Sequence, residues 1–299
     1  MMTVRLIIVA TLLGIMLAGV YALQNADVLQ FHDYNVSGLP VRTEMPEVPP
    51  TPGDKTVTFV TYNVLVDNVA IDKRAPVIFR LLQESQADII ALQEVGDWFV
   101  DLMRKENWAR GYYWVNTDTM NCGGNVILSK FPVDASGCLT LPGRQARTAL
   151  LATLKLAGRK FTVATSHMES PLESGGIRGR QLDIIFEHLA HAQDAVMLGD
   201  LNFGDGEGED KKIPADYTDL WKALKPGDPG YTWNIEKSDM ARDSCFPGEP
   251  SRRLDRILVR SEVWKPKETR IIGDAPVIAG RKDLFPSDHF GLVGMVTRE

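Results

Sequence analysis

The sequence is short of cysteine, short of positive charge and without an internal repeat. Only Cys122, Cys138 and Cys245 occur in 299 residues. Their wide spacing matches no zinc site, and an odd count cannot pair fully into disulfides. Neither a disulfide scaffold nor a thiolate metal centre therefore organises the chain. Lys and Arg total 33 against 39 Asp and Glu, a net charge of −6. A protein that coats duplex nucleic acid carries a basic excess, so any nucleic-acid contact here is local: a strand end, or a pocket lined by a few arginines. What remains is globular in composition, 44% hydrophobic and 24% charged, with length enough for one large domain or two small ones around a sizeable core.

Arg5 is followed by an uncharged run from Leu6 to Leu23, 18 residues long and at the lower limit for crossing a bilayer. A cleaved signal peptide, with Val20-Tyr21-Ala22 as its cleavage site, and an uncleaved anchor both fit; the length of the run favours the anchor. Arg5 before the run and Asp27 and Asp33 after it place the bulk of the chain outside the cytoplasm. The expectation is thus an exported or membrane-anchored protein, with the membrane as a partner where the segment is kept. Residues 25–53 carry Pro40, Pro46, Pro49, Pro50 and Pro52 and read as a semi-rigid tether. The predicted organisation is 1–24 signal peptide or anchor, 25–53 linker and 54–299 catalytic body.

In the body, short apolar runs rich in β-branched residues predict strands at Val57–Tyr62, Asp88–Leu92, Asn125–Leu128, Ala149–Leu156, Lys160–Thr165, Ala195–Leu198, Arg256–Val259 and Gly291–Val296. Ala157-Gly158 reads as a hairpin turn. Leu182, Ile185, Phe186 and Leu189 follow helical spacing over Arg180–Ala192, and a second helix is expected at Ala75–Ser85 with Pro76 in its first turn. Hairpins mixed with helices point to an α/β sandwich. Polar residues gather at the strand ends: Asn63, Gln93 and Glu94, Ser166 and His167, Asp200 and Asn202, Asp255, and Ser287 to His289. Carboxylates and amides beside buried strands are costly unless paired or ligating. Several strands ending this way suggest one shared rim, suited to metal-assisted hydrolysis.

Thr61-Tyr62-Asn63, Leu92-Gln93-Glu94, Thr165-Ser166-His167, Gly199-Asp200-Leu201-Asn202, Leu254-Asp255-Arg256 and Ser287-Asp288-His289 resemble, in content and order, the endonuclease/exonuclease/phosphatase superfamily. Within it, Thr165 to Ser170, Tyr231-Thr232-Trp233-Asn234 and Phe285 to Leu292 are most similar to the 5′-tyrosyl-DNA phosphodiesterases. Two positions depart from that group: Gly204 stands where its phosphate-contacting arginine would be, and Phe290 where its tryptophan would be. The resemblance implies a four-layer α/β sandwich of two packed mixed sheets flanked by helices, Mg²⁺ or Mn²⁺, and phosphodiester hydrolysis, with nucleic acid attacked at or near a 5′ end as the leading substrate class. Covalent protein–DNA adducts form inside cells, which sits against export. An exported general nuclease, a sphingomyelinase-like lipid phosphodiesterase and a catalytically silent binding module are the alternatives.

The residue types suggest a division of labour. Glu94, with Asn63 beside it and Asp288, offers hard oxygen ligands for Mg²⁺ or Mn²⁺. Asp200 is the expected base on the attacking water, and Asn202 and His167 the expected contacts to phosphate or water. His289 would meet the developing phosphoryl charge, its ring held by Asp255. Ser287 and Trp233 are assigned to substrate binding, Trp233 by stacking on a base or tyrosyl ring or, equally, by packing beneath the site. Of Arg144, Arg147, Arg178, Arg180, Arg252 and Arg253, the favoured phosphate contacts are Arg178 and Arg180, because they lie just after the His167 motif; surface ion pairing is the simpler role for most. The acidic stretch Asp205–Asp210 reads as a solvated, flexible loop, and the chain as a monomer.

Overall fold

The computed structural model describes residues 41–53, 55–117 and 123–298, all within a unit spanning 35–299. Thirteen strands form two sheets. The first runs β1 (Val41–Glu44), β4 (Tyr113–Thr117), β5 (Gly124–Ser129), β3 (Ile89–Val95), β2 (Thr56–Asn63), β13 (Gly291–Arg298) and β12 (Trp264–Ile272). The second runs β10 (Thr218–Asp219), β11 (Asp255–Arg260), β9 (Asp194–Asp200), β8 (Arg159–His167), β7 (Thr148–Leu156) and β6 (Val133–Thr140). Both are mixed: β2 and β3 are parallel in one, β8 and β9 in the other, and the remaining pairs are antiparallel.

The layers follow from the two-residue period of the strands. In β2, Val57 and Phe59 face the opposite sheet, where Phe161 and Val163 of β8, Val196 and Leu198 of β9 and Ile257 of β11 meet them in the central core. Val60 and Tyr62 face outward, against Ile78, Phe79 and Leu82 of α1 (Ile71–Glu84) and Phe99 of α2 (Asp97–Met103). On the far side, Leu182, Ile185 and Leu189 of α3 (Gly175–Ala190) cover Ala164 and Met197. Helix, sheet, sheet, helix is the four-layer sandwich the resemblance implied. Each fully buried Leu, Ile or Phe contributes roughly 1.5–3 kcal/mol of apolar burial.

Three local features differ from expectation. α1 begins at Ile71, so Pro76 lies inside the helix rather than in its first turn; its missing N–H removes one intrahelical bond. α3 begins at Gly175, ahead of the apolar periodicity, because its first turn is Gly-rich. Val41–Glu44, inside the stretch read as a tether, is an edge strand paired with β4, and the Glu47 and Val48 amides bond the Arg110 carbonyl at 2.9 and 3.2 Å. The Ala157–Gly158 hairpin is as expected, with φ of 48° and 80°, the values of a type I′ turn.

Candidate active site

The inward rows of the strands continue past the core into the polar residues. In β2 the row Val57, Phe59, Thr61 ends at Asn63; in β8 the row Phe161, Val163, Thr165 ends at His167; in β9 the row Val196, Leu198 ends at Asp200. β11 runs antiparallel to β9 with Asp255 opposite Asp200, so it enters at the same edge, as does the segment Ser287–His289 just before β13. Alternation would turn Glu94 outward. A register shift between Leu92 and Val95, with Glu94 at φ 57°, swings it back; such a left-handed residue costs roughly 1–2 kcal/mol. Beneath it the Gln93 amide ties the sheets, accepting from Thr61 Oγ1 at 3.2 Å and donating to Thr165 Oγ1 at 2.9 Å.

The convergent side chains line a cavity of about 290 Å³ whose walls include Glu94, Arg147, His167, Asp200, Trp233 and His289. Asn63 Nδ2 donates to Glu94 Oε1 (3.1 Å) and Asp200 Oδ2 (3.0 Å), while its oxygen accepts the Leu65 N–H at 3.1 Å. The amide therefore links the two carboxylates and does not turn its oxygen towards Glu94. Glu94 Oε2 accepts the Val66 N–H at 3.0 Å. Asp200 Oδ1 accepts the Asn202 N–H at 3.1 Å, and the Asn202 amide donates to Met168 O at 2.9 Å. His289 Nδ1 is 2.9 Å from Asp255 Oδ2, and its Nε2 lies 3.6 Å from Asp200 Oδ2. Arg147 Nη1 meets His167 Nδ1 at 2.9 Å, which makes Nδ1 the acceptor and leaves the Nε2–H facing Asp200 Oδ2 at 3.3 Å.

The charges follow from these contacts. Burial pushes His167 down to about 4, so it is neutral. Burial also works against the charged form of His289, but Asp255 and Asp200 outweigh it and hold the imidazolium well above its usual range. Asp200 resists burial in turn through His289 and His167, and stays below the ordinary carboxylate range. Asp288 is pushed up to about 6 by burial, with nearby Glu94 adding to the shift. Three buried carboxylates, Asp200, Asp255 and Asp288, gather with the half-buried Glu94 at this site, and Asp255 Oδ1 has no hydrogen-bond partner. That hard, anionic oxygen set fits a divalent cation. Asp200, Asp255 and His289 offer ligand atoms within 4.8 Å of one another; His289 Nδ1 is bonded to Asp255, and Glu94 and Asp288 in the cavity wall could also hold an ion.

Several expected residues fall elsewhere. Arg178 is buried and clamps a loop, bonding Glu209 Oε1 (2.7 Å) and the carbonyls of Glu169, Pro171 and Leu172. Arg180 is exposed and borders a separate cavity with Gly176, Asp183 and Lys212. The guanidinium at the site is Arg147, which also donates to Ser170 Oγ at 2.7 Å. It directly precedes β7, whose Ala149 pairs with Ser166 of β8; only that register brings it to His167. Ser287 is buried and joins the Asn63 carbonyl (2.7 Å) to Asp288 (3.2 Å), a tie rather than a substrate contact. Arg74, unremarked in the sequence, is fully buried and bonds Val64 O and Pro286 O, fixing the loops on both sides of that tie. The Trp233 ring lies against His289, centroids 4.8 Å apart and tilted by 55°, and borders the cavity, so it packs against the site. The stretch Asp205–Asp210 is not loose: Asp205 pairs with Arg253 and Arg256, and Asp210 with Arg256 and Lys222.

This architecture and strand-end constellation define a metal-dependent phosphodiesterase. A profile of the Endonuclease/Exonuclease/phosphatase family matches residues 60–289, and the chain belongs to that family. It is 29% identical over 259 residues to tyrosyl-DNA phosphodiesterase 2 of Rattus norvegicus, covering 83% of this chain and 69% of that protein, and 28% identical to the Mus musculus protein of the same name, covering 83% and 68%. Among solved structures it is similar to D. rerio TDP2 complexed with single strand DNA product, at TM-score 0.72 and 23% identity over 82% of this chain and all of that one, and to truncated Caenorhabditis elegans TDP2, at 0.66 and 21% over 81% and 97%. These relatives, named for tyrosyl-DNA, stand against the expectation of an exported or membrane-anchored catalytic domain and correct it. Among the described residues no helix is long and apolar enough to cross a membrane; the run Leu6–Leu23 lies outside them.

Proposed function

We propose that the chain hydrolyses the phosphodiester joining the 5′ end of a DNA strand to a tyrosyl side chain, as a monomer using Mg²⁺ or Mn²⁺. The observation that carries this reading is the buried line Asp255–His289–Asp200, set at the strand ends beside Glu94, with Arg147 at the mouth. Asp200, held ionised, accepts a hydrogen of the attacking water and aims its lone pair at phosphorus. Asp255 keeps the His289 ring with its Nε2–H towards the cavity, where it donates to a nonbridging phosphoryl oxygen as charge builds. Neutral His167 relays the Arg147 position to Asp200. Asn63 holds Glu94 and Asp200 at fixed separation. Glu94 and Asp288 would hold the ion, which when bound supplies charge neutralisation at the phosphoryl group.

The test is an end-labelled oligonucleotide bearing a 5′-phosphotyrosine, incubated with Mg²⁺ with and without chelator. The expected result is release of tyrosine and a full-length 5′-phosphorylated strand, only when the metal is present. A ladder of shorter products would replace this reading with a general nuclease. An intact substrate would overturn both.

A further inference from the structure

The loop after Asn202 folds back on itself. The Glu207 N–H donates to Gly204 O at 3.3 Å, and the Gly204 N–H donates to Glu207 Oε1 at 2.9 Å. The same carboxylate oxygen lies 3.1 Å from Arg252 Nη1. Arg252 arrives from a distant part of the chain: it pairs through its backbone with Trp233, at 2.9 and 2.8 Å, and the Trp233 ring packs against His289. Its side chain is 6% exposed, its other terminal nitrogen bonds Glu249 in the cavity wall, and its Nε is buried with no partner. A Cβ at position 204 would stand 2.8 Å from Glu207 Oε1 and 3.3 Å from Arg252 Cδ. The Glu207 carboxylate and the aliphatic stem of Arg252 thus occupy the space that a side chain at 204 would need.

A backbone N–H and a buried guanidinium converging on one oxygen are the donor set of an anion site. The two carboxylates on Arg252 are not equivalent. Glu249 has a side chain 4% exposed and also accepts the Phe246 N–H at 2.9 Å. Glu207 is 34% exposed and is flanked by Gly206 and Gly208, with open space around both. Glu207 is free to turn out; Glu249 is not.

We propose that the Gly204 N–H and the Arg252 guanidinium form a phosphate subsite beside the catalytic cavity, closed by the chain's own Glu207 carboxylate until a second phosphodiester of a bound DNA strand displaces it. This rests on the cavity being a nucleic-acid phosphodiesterase site, and adds that the strand is read at more than one phosphate. Exchanging one monoanion for another leaves the local charge unchanged, so opening the subsite requires only that one exposed side chain rotate.

The test compares binding, in chelator, of a 3′-labelled, 5′-phosphorylated tetrathymidylate by fluorescence anisotropy and of thymidine 5′-monophosphate by competition. Glu207→Gln is expected to tighten the tetranucleotide about three- to tenfold, with a clearly smaller change for the mononucleotide. Arg252→Met is expected to weaken the tetranucleotide about tenfold and, combined with Glu207→Gln, to cancel the gain. Equal shifts for both ligands, or an unchanged tetranucleotide affinity in Glu207→Gln, overturn the proposal; should Arg252→Met fail to fold, Glu207→Gln decides alone. A wild-type chain that turns over no oligonucleotide with Mg²⁺ would instead overturn the catalytic reading, while the affinity ratio still reports on the subsite.

Discussion

Asp200 is the residue on which most of the site's contacts fall: Asn63, Asn202, His167 and His289 all address its two oxygens. Asp200→Asn keeps the shape but loses the charge that orients water, and is expected to lower kcat by about 10²–10⁴-fold and to lower the melting temperature, because the buried His289 imidazolium loses one of its two carboxylates. Steady-state kinetics beside a thermal melt checks both halves. His289 sets the pH behaviour. Its folded-state value lies above that of a free imidazole, so the protonated donor, and the stability its ion pair contributes, are complete below about pH 6.5 and are lost as pH rises through the raised value. The expected kcat profile therefore has an alkaline limb. His289→Gln should abolish that limb and cost about 10²–10⁴-fold in rate; an unmoved limb would assign it to another group. His167 behaves oppositely. With its value lowered from 6.5 to about 4, stability falls as acid is added across that window.

The central strands were legible because both faces of β2, β3, β8 and β9 are buried and their sequences are near-continuous apolar runs. Of the missed strands, β1, β6, β10 and β12 sit at sheet edges, and β4 lies one strand in, between β1 and β5. β12 carries Lys265, Pro266, Lys267 and Glu268 with a bulge between Pro266 and Glu268, and β6 holds Asp134, Ser136 and Gly137, so neither shows an apolar period. The same period of two that built the core carried Asn63, His167, Asp200 and Asp255 to the site, which is why most of the constellation could be read from the sequence. Arg147 could not be told from Arg178 in the sequence, since one precedes β7 and the other sits in the Gly-rich first turn of α3 with no apolar period to orient it, and only the β7–β8 register brings Arg147 to the site. The element most open to a test is the Gln93 bridge. Gln93→Leu leaves the buried Thr61 and Thr165 hydroxyls without their amide partner and is expected to cost about 1–3 kcal/mol, read as a lower denaturant midpoint at unchanged slope.

For the molecule as a whole, the site is a place where the fold concentrates negative charge it cannot balance alone. Binding a divalent cation should therefore stabilise the folded chain as well as activate it. Moving from chelator to saturating Mg²⁺ is expected to raise the melting temperature by about 5 °C. Glu94→Gln should shrink that shift and lower the melt in chelator as well, since, against burial, His167 and the Val66 and Asn63 hydrogen bonds hold that carboxyl below its usual range; an undiminished shift would place the ion elsewhere.

β13 lies between β2 and β12, and His289 stands two residues before it. The first sheet is therefore left split until a late segment of the chain slides between an early strand and its neighbour. During synthesis, Asn63, Glu94, His167, Asp200 and Asp255 are all made before Asp288 and His289, while the sheet still has this gap. The proposed site is therefore complete only once this segment has docked, so competence would arrive in a single late step rather than by degrees.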